Sequence, residues 1–250
     1  MSAASVPAPA GELIAKGRLV DASNATFLAV DEAEKLWLYK PVAGEAPLWD
    51  FPDGTLGRRE VAAYAVSAAA GFDVVPPTVW VDGPFGEGSA QEWLDGTATA
   101  LVDLIAPEAL TRDWLPVLEA RTQADEPVLL AHRDDPRLRR IALFDVLVNN
   151  ADRKASHLIE VDVRVAGVDH GVSFHVEDKL RTVLWGWAGS PLSEAELALV
   201  ARVAALNEAP APGLDDDEWA ALTARAEAIL AAGSLPLPSG RWPAIPWPPL

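Results

Sequence analysis

Across 250 residues the chain carries 37 acidic and 20 basic side chains, a formal net charge of −17, and no cysteine. Half of it is hydrophobic, which supplies a sizeable core and excludes global disorder. The missing thiols exclude a disulfide framework and a thiolate metal site, and the negative field argues against nucleic acid or an anionic membrane surface as partner. Met1 to Ala10 is rich in Ala, Pro and Ser and lacks a basic start, so it is expected to be a disordered arm rather than a signal peptide. Gly17 to Val30 reads as two strands around the polar turn Asp21-Ala22-Ser23-Asn24. Lys35 to Lys40 is a third strand, with Leu36, Leu38 and Lys40 on one face and Trp37 and Tyr39 on the other. Pro41 to Gly57 is an ordered loop. Arg58 to Ala70 is a helix with Val61, Ala65 and Ala68 or Ala69 inward, ended by Gly71. Val74 to Val81 is extended across Pro76-Pro77, Gly83 to Gly86 is a turn, and Ser89 to Leu94 is a strand, giving β-β-β-α-β-β.

The remainder reads as mostly helical. Pro136 opens a helix whose buried side includes Leu138, Ile141, Ala142 and the run Phe144 to Val148. Asn149 to Arg153 is a polar break. Leu158 to Val161 and Arg164 to Val168 form a short hairpin turning near Asp162. Ser193 to Leu206 and Asp215 to Ala232 are helices, the first with Ser193 and Glu196 at capping-box spacing. Leu235 to Leu250, rich in Pro and Trp, is extended. The expected organisation is an arm over 1–10, a β-rich nucleotide-binding lobe over 11–95, a catalytic lobe over 96–235 and a Pro/Trp tail over 236–250. No apolar run reaches the roughly 20 residues that span a bilayer, so a cytoplasmic location is expected and membrane association is not.

Three features carry chemistry together. Lys40 lies on a strand after a β-turn-β unit, Glu60 at the start of the next helix, and the pairs Asp152-Arg153 and Asp169-His170-Gly171 on either side of the short hairpin. Phosphoryl transfer asks a protein to hold phosphates in line, to neutralise them with metal, and to place a carboxylate near the attacking hydroxyl. A strand lysine holds phosphates and a helix glutamate fixes that lysine. One loop carboxylate orients the acceptor and a second binds metal. Asp145, among apolar helix residues, reads as a structural bond to the loop. His132, His170 and His175 read as structural or exposed, and Trp185 and Trp187 as core. Lys179 and Arg181 either hold an anionic acceptor or lie in a solvated turn.

The segment Phe144-Asp145-Val146-Leu147-Val148-Asn149-Asn150-Ala151-Asp152-Arg153 resembles the catalytic loop of phosphatidylinositol 3-/4-kinase-related and HipA-type kinases, roughly D-x-x-x-x-N-x-D-R. Val168-Asp169-His170-Gly171-Val172-Ser173-Phe174 resembles their metal-binding segment, I-D-x-G-x-x-F. The likeness extends over about residues 11 to 235, to a little-characterised bacterial branch. It implies an α+β, bilobal protein-kinase-like fold with a β-rich N-lobe and a mainly helical C-lobe. It also implies that Lys40 contacts the phosphates of ATP and that Glu60 pairs with it. Asp152, with Arg153 beside it, would be catalytic, and Asp169 would bind Mg2+ or Mn2+. Gln91-Glu92-Trp93 would be the hinge against the adenine, and Ser23-Asn24-Ala25 the cover over the phosphates. The chain departs from the pattern twice. Its phosphate loop has no glycine cluster, and His157 stands where a second metal ligand, usually Asn, is found.

The leading expectation is a kinase that moves the γ-phosphoryl group of ATP to a hydroxyl of a protein, a small polyol or a lipid headgroup. The alternatives are a nucleotide-binding pseudokinase and a metal-dependent phosphoesterase using Asp152, His157, Asp169 and His170.

Overall fold

A computed structural model describes residues 7–19, 24–51, 56–206 and 213–250. Five antiparallel strands form the first sheet: β1 (Ile14–Arg18), β2 (Phe27–Val30), β3 (Leu36–Pro41), β4 (Thr78–Gly83) and β5 (Gly86–Glu92), in the order β1-β2-β3-β5-β4. The two faces of β3 divide as the alternation implies. Trp37 and Tyr39 are fully buried in a small core with Ala29 and Ala90, which leaves Leu38 and Lys40 on the opposite face. Strand β5 approaches β3 closely at Gly88, where an added Cβ would meet the Lys40 carbonyl oxygen at 2.3 Å. The first six residues of the expected arm, and turn residues 21–23, lie outside the described residues. Ala10, at the end of that arm, is tied down: its N–H donates to Asp31 Oδ2 at 3.0 Å and its carbonyl accepts from Glu32.

Helix α1 (Leu56–Ala70) packs on β4 and β5. It buries Val61, Ala62, Ala63, Val66 and Ala70. Ala65 is only half-buried, and Ala68 and Ala69 are exposed, which corrects the inward face expected for them. The reason is that α1 packs on the sheet and on α3 at once, which centres its buried face on Arg59, Ala62, Ala63, Val66 and Ala70 and leaves positions 65, 68 and 69 towards solvent. The helix start is held from a distance, because the Glu45 carboxylate accepts the N–H groups of Leu56 (3.2 Å) and Gly57 (2.8 Å).

Beyond the sheet lie α2 (Pro136–Val148), α3 (Glu194–Ala204) and α4 (Asp216–Ala232). The α+β class, with a β-rich first part and helices gathered towards the C-terminal end, is as the sequence implies. Six strands accompany the helices. β6 (Thr97–Ala98) pairs with β10 (Leu158–Val161), which pairs with β11 (Arg164–Gly167), so the expected hairpin gains a third strand. β7 (Val102–Ile105), β8 (Trp114–Arg121) and β9 (Pro127–Arg133) form a separate antiparallel sheet in the order β7-β9-β8, where no element was expected. Its edge strand β8 contains Pro116 at a register shift, which hides the alternation that would announce a strand.

The main core joins α1 to the three later helices through fully buried Val66, Leu143, Phe144, Leu147, Val200 and Leu222. Each such aliphatic or aromatic side chain contributes about 1.5–3 kcal/mol by burial. Arg59 adds a polar link, donating to the Ser173 carbonyl at 2.7 Å and pairing with Glu218 of α4. Helix α2 starts on the Asp135 side chain, which accepts from Arg137, and stops at Asn149 in the left-handed region (φ 54). Capping boxes open α3 (Ser193 with Glu196) and α4 (Asp215 with Glu218). The tail runs back over the site: the Ala244 carbonyl accepts from Thr182 N–H (3.0 Å) and Trp185 Nε1–H (2.8 Å), and the Pro249 carbonyl accepts from Ala155 N–H (2.9 Å).

Candidate active site

Lys40, near the end of β3, donates from Nζ to Glu60 Oε1 at 2.5 Å and to Asp169 Oδ1 at 2.9 Å. Glu60, on the first turns of α1, is buried, and Ser89 of β5 donates to its other oxygen at 3.4 Å. Burial acts to lower the Lys40 pKa, yet the negative charges of Asp169 and Glu60 outweigh it and hold the ammonium charged well above its ordinary range. The Lys40 charge in turn holds the Asp169 carboxyl far below its ordinary value. Burial pushes the Glu60 carboxyl up, with Lys40 pulling it back. Asp169 sits at a left-handed backbone position (φ 59), unfavourable for a residue with a Cβ and typical of a segment whose surroundings over-determine it.

The loop between α2 and β10 is clamped on two sides. Ala151 N–H donates to the Val172 carbonyl and Phe174 N–H to Val148, while Arg153 and Arg181 exchange backbone bonds with the same loop. Asn150 accepts the Asp152 N–H on Oδ1 (3.0 Å) and donates from Nδ2 to Asp145 Oδ1 (3.0 Å), so Asp145 braces the loop as expected. The Asp152 carboxylate is partly exposed and lies 3.0 Å from Lys154 Nζ.

Arg153 departs from the expectation that placed it in the catalytic pair. It is wholly buried and lines neither cavity described below. Its guanidinium donates to both Asp145 oxygens (2.8 and 3.0 Å), to the carbonyls of Val168 (2.7 Å) and His157 (3.2 Å), and to His170 Nε2 (2.8 Å). That set uses up its donors and makes it a brace between the two motif segments. Because Arg153 can only donate, His170 Nε2 is an acceptor and its ring neutral, in keeping with burial that pushes its pKa well below the usual value. The His157 ring reaches Asp169 from the other side, Nε2 to Oδ2 3.4 Å. Burial lowers its pKa, the Asp169 charge opposing, and its Nδ1 is buried without a partner among the described residues.

Two cavities meet at Asn24, Lys40, Asp152 and Asp169. The inner one, about 610 Å³, has apolar walls from Leu19, Leu38 and Val168, with His157 and Lys154 opposite and Pro248 and Leu250 of the tail at its rim. The outer one, about 290 Å³, lies under the loop between β3 and α1, against Glu60, Gly171 and Arg181. The structure thus brings together seven of the residues singled out in the sequence: Asn24, Lys40, Glu60, Asp152, His157, Asp169 and Arg181. Ser23 lies outside the described residues.

Gln91, Glu92 and Trp93, expected as a hinge, line neither cavity. Gln91 Nε2 donates to Thr78 within the sheet (2.9 Å), and Glu92 pairs with Lys35 (2.8 Å). Lys179 is likewise not free for an acceptor: it is buried, 3.6 Å from Asp50 Oδ2, with Nζ about 5 Å from the ring centres of Trp49 and Trp242. Glu45 and Trp49 line the outer cavity and were not singled out in the sequence. They sit on an irregular loop, where no periodicity marks a side chain as facing inward.

No protein-family model matches the chain. Among solved structures, the Golgi casein kinase aligns over 90% of this chain and 73% of its own at 14% identity and a TM-score of 0.48, and the same kinase with Mn/ADP bound at 0.49. The Helicobacter pylori proinflammatory kinase CtkA aligns over 88% of this chain and 92% of its own at 12% identity and a TM-score of 0.42. No residue is carried over at those values. Protein Rv2133c of Mycobacterium tuberculosis (strain ATCC 25618 / H37Rv) is 48% identical over 257 aligned residues, which cover 95% of this chain and 92% of that protein. At that identity over nearly the full length of both, the chain belongs to the family of protein Rv2133c.

Proposed function

We propose that the chain is an ATP-dependent phosphotransferase of the protein-kinase-like superfamily, of the phosphatidylinositol 3-/4-kinase-related branch that its two motifs resemble. The observation that carries this reading is Lys40 clasped between Glu60 and Asp169, with Asp152 on the same cavity wall. Lys40 holds the nucleotide phosphates and Glu60 keeps it aimed. Asp152 orients the acceptor hydroxyl and takes its proton. Arg153 acts through Asp145 and the Val168 carbonyl, fixing the distance between the two motif segments. The inner cavity takes the nucleotide, its base against Leu19, Leu38 and Val168.

Among the described residues no three His, Asp or Glu side chains cluster as a self-sufficient metal centre. Asp169 and His157 do fit a divalent ion that draws its remaining ligands from phosphate and water. A metal held there would supply neutralisation of the phosphate charge. The phosphoesterase alternative loses one of its four groups, because His170 is buried and its Nε2 is engaged by Arg153.

The test combines binding and transfer. Millimolar ATP with Mg2+ or Mn2+ raises the melting temperature, and γ-labelled ATP passes label to an acceptor. Asp152→Ala removes transfer and keeps the melting shift, whereas Asp169→Ala loses both. Absence of any nucleotide-dependent shift overturns the reading. A shift without transfer leaves the binding-only alternative.

A further inference from the structure

The outer cavity has features that the nucleotide does not need. It shares Asn24, Lys40, Asp152 and Asp169 with the inner cavity and then extends away from it, beneath the loop carrying Trp49 and towards Arg181. Resting on the phosphotransferase reading, we propose that this cavity is the acceptor site and that the acceptor is a small polyol without phosphate, a sugar, amino sugar or cyclitol.

Three observations select that class. The first is size. At about 290 Å³ the cavity is at the lower end of small-molecule sites and holds one ring rather than an extended peptide. The second is charge. Five carboxylates line it against the cations Lys40 and Arg181. Lys154 and Lys179, just behind, leave the carboxylates in excess. A metal–nucleotide complex adds further negative charge. An anionic headgroup entering beside it is repelled, whereas a neutral or cationic ring is not. The third is the lining chemistry. Trp49 meets the Lys179 ammonium at 4.9 Å and still leaves 76% of its surface exposed, indole surface on which the C–H groups of a sugar ring stack. Asp152 accepts from hydroxyls. Arg181, on the cavity wall, donates to them.

The step balances without a further reactant. The acceptor oxygen attacks the γ-phosphorus, the bond to the β,γ-bridging oxygen breaks, and ADP leaves. The hydroxyl proton passes to the Asp152 carboxylate and from there to solvent.

The experiment uses the full chain with γ-labelled ATP and Mn2+ or Mg2+. It offers glucose, glucosamine, ribitol and myo-inositol in one arm, casein in a second and phosphatidylinositol vesicles in a third. The expected result is label on at least one polyol and none on casein or lipid. Trp49→Ala should raise the polyol KM at least 10-fold, whereas Trp242→Ala, which takes the other indole from Lys179 and does not line the cavity, should leave it unchanged, and the ATP-dependent melting shift should stay within error in both. Label on casein or vesicles alone overturns the inference and leaves the phosphotransferase reading standing. So does polyol transfer that Trp49→Ala does not change, or an ATP-dependent shift with no label on any polyol. Absence of the ATP-dependent shift overturns the phosphotransferase reading and this inference with it.

Discussion

Lys40 and Asp169, 129 positions apart in sequence, are joined by a 2.9 Å hydrogen bond, and the same ammonium holds Glu60 at 2.5 Å. One cation therefore serves two carboxylates from different parts of the fold. Of the two, Glu60 depends on it more, since it is buried while the Asp169 side chain is about half exposed.

Lys40→Met should destabilise the protein by about 3 kcal/mol, because it leaves the Glu60 carboxylate buried and unpaired. Lys40→Met/Glu60→Gln should recover most of that loss. The sign with pH follows from the raised Glu60 pKa. A raised carboxyl pKa stabilises below the unfolded value and ceases to do so as pH rises through the folded one. The single variant should therefore lose stability relative to wild type as pH increases from about 4.5. Urea unfolding at several pH values measures both effects, and a sum of single-variant losses in the double variant would reject the coupling.

Arg153→Met should cost about 3–5 kcal/mol, as expected for removing one partner of a buried ion pair. Asp145→Asn in the same chain should lower that cost, since the orphaned charge disappears. If Arg153→Met instead leaves stability unchanged and removes only transfer, Arg153 touches the reacting groups and is not a brace.

His132 lies under Trp187 with its ring centre 4.2 Å away. Its Nδ1–H donates to the Arg133 carbonyl, and its Nε2 accepts the Gly186 N–H at 3.0 Å. An added Cβ at Gly186 would meet Nε2 at 2.6 Å, so the contact needs a glycine. Burial depresses the pKa to about 4. The folded state thus favours the neutral ring, a contribution fully present above about 6.5 and lost as pH falls towards 4. It amounts to about 3 kcal/mol. His170, depressed by burial in the same direction, adds to the slope. Replacing His132 by Gln should flatten the decline of stability between pH 6.5 and 4. An unchanged slope would show that His132 is solvated.

His157→Asn should change the metal preference. Imidazole suits Mn2+ better than it suits Mg2+, and an amide oxygen reverses that bias. Titrating both ions in the presence of ATP should show a lower Mn/Mg affinity ratio in the variant, by about 10-fold. An unchanged ratio would mean that His157 only orders the loop after Asp152.

Local signals in the sequence marked the elements that carry the chemistry. Strand β3 shows its faces by alternation, α3 by its capping box, and the β10–β11 hairpin by a polar turn between apolar runs. Signals that depend on distant partners were not legible. The Glu45 carboxylate caps a helix 11 residues away, and nothing in the loop sequence predicts it. Gln91 shares the face of Ser89, Leu38 and Lys40, and what keeps it from the cavity is the bond of its amide to Thr78 on the neighbouring strand, a partner 13 positions away that no local signal announces. The sheet β7-β9-β8 was hidden because its edge strand β8 contains a proline and is half solvated, which breaks both period and hydrophobicity.

The Lys179 ammonium rests about 5 Å from the ring centres of Trp49, on the loop above the outer cavity, and Trp242, on the tail, whose own rings are 6.1 Å apart. It fastens the loop to the tail as a clasp. Each cation–π contact contributes about 0.5–2 kcal/mol, so unfastening both costs about 1–4 kcal/mol. The loop beside the outer cavity is thus tied to the far end of the chain through one ammonium, and salt weakens that tie little because Lys179 and Asp50 are shielded from solvent.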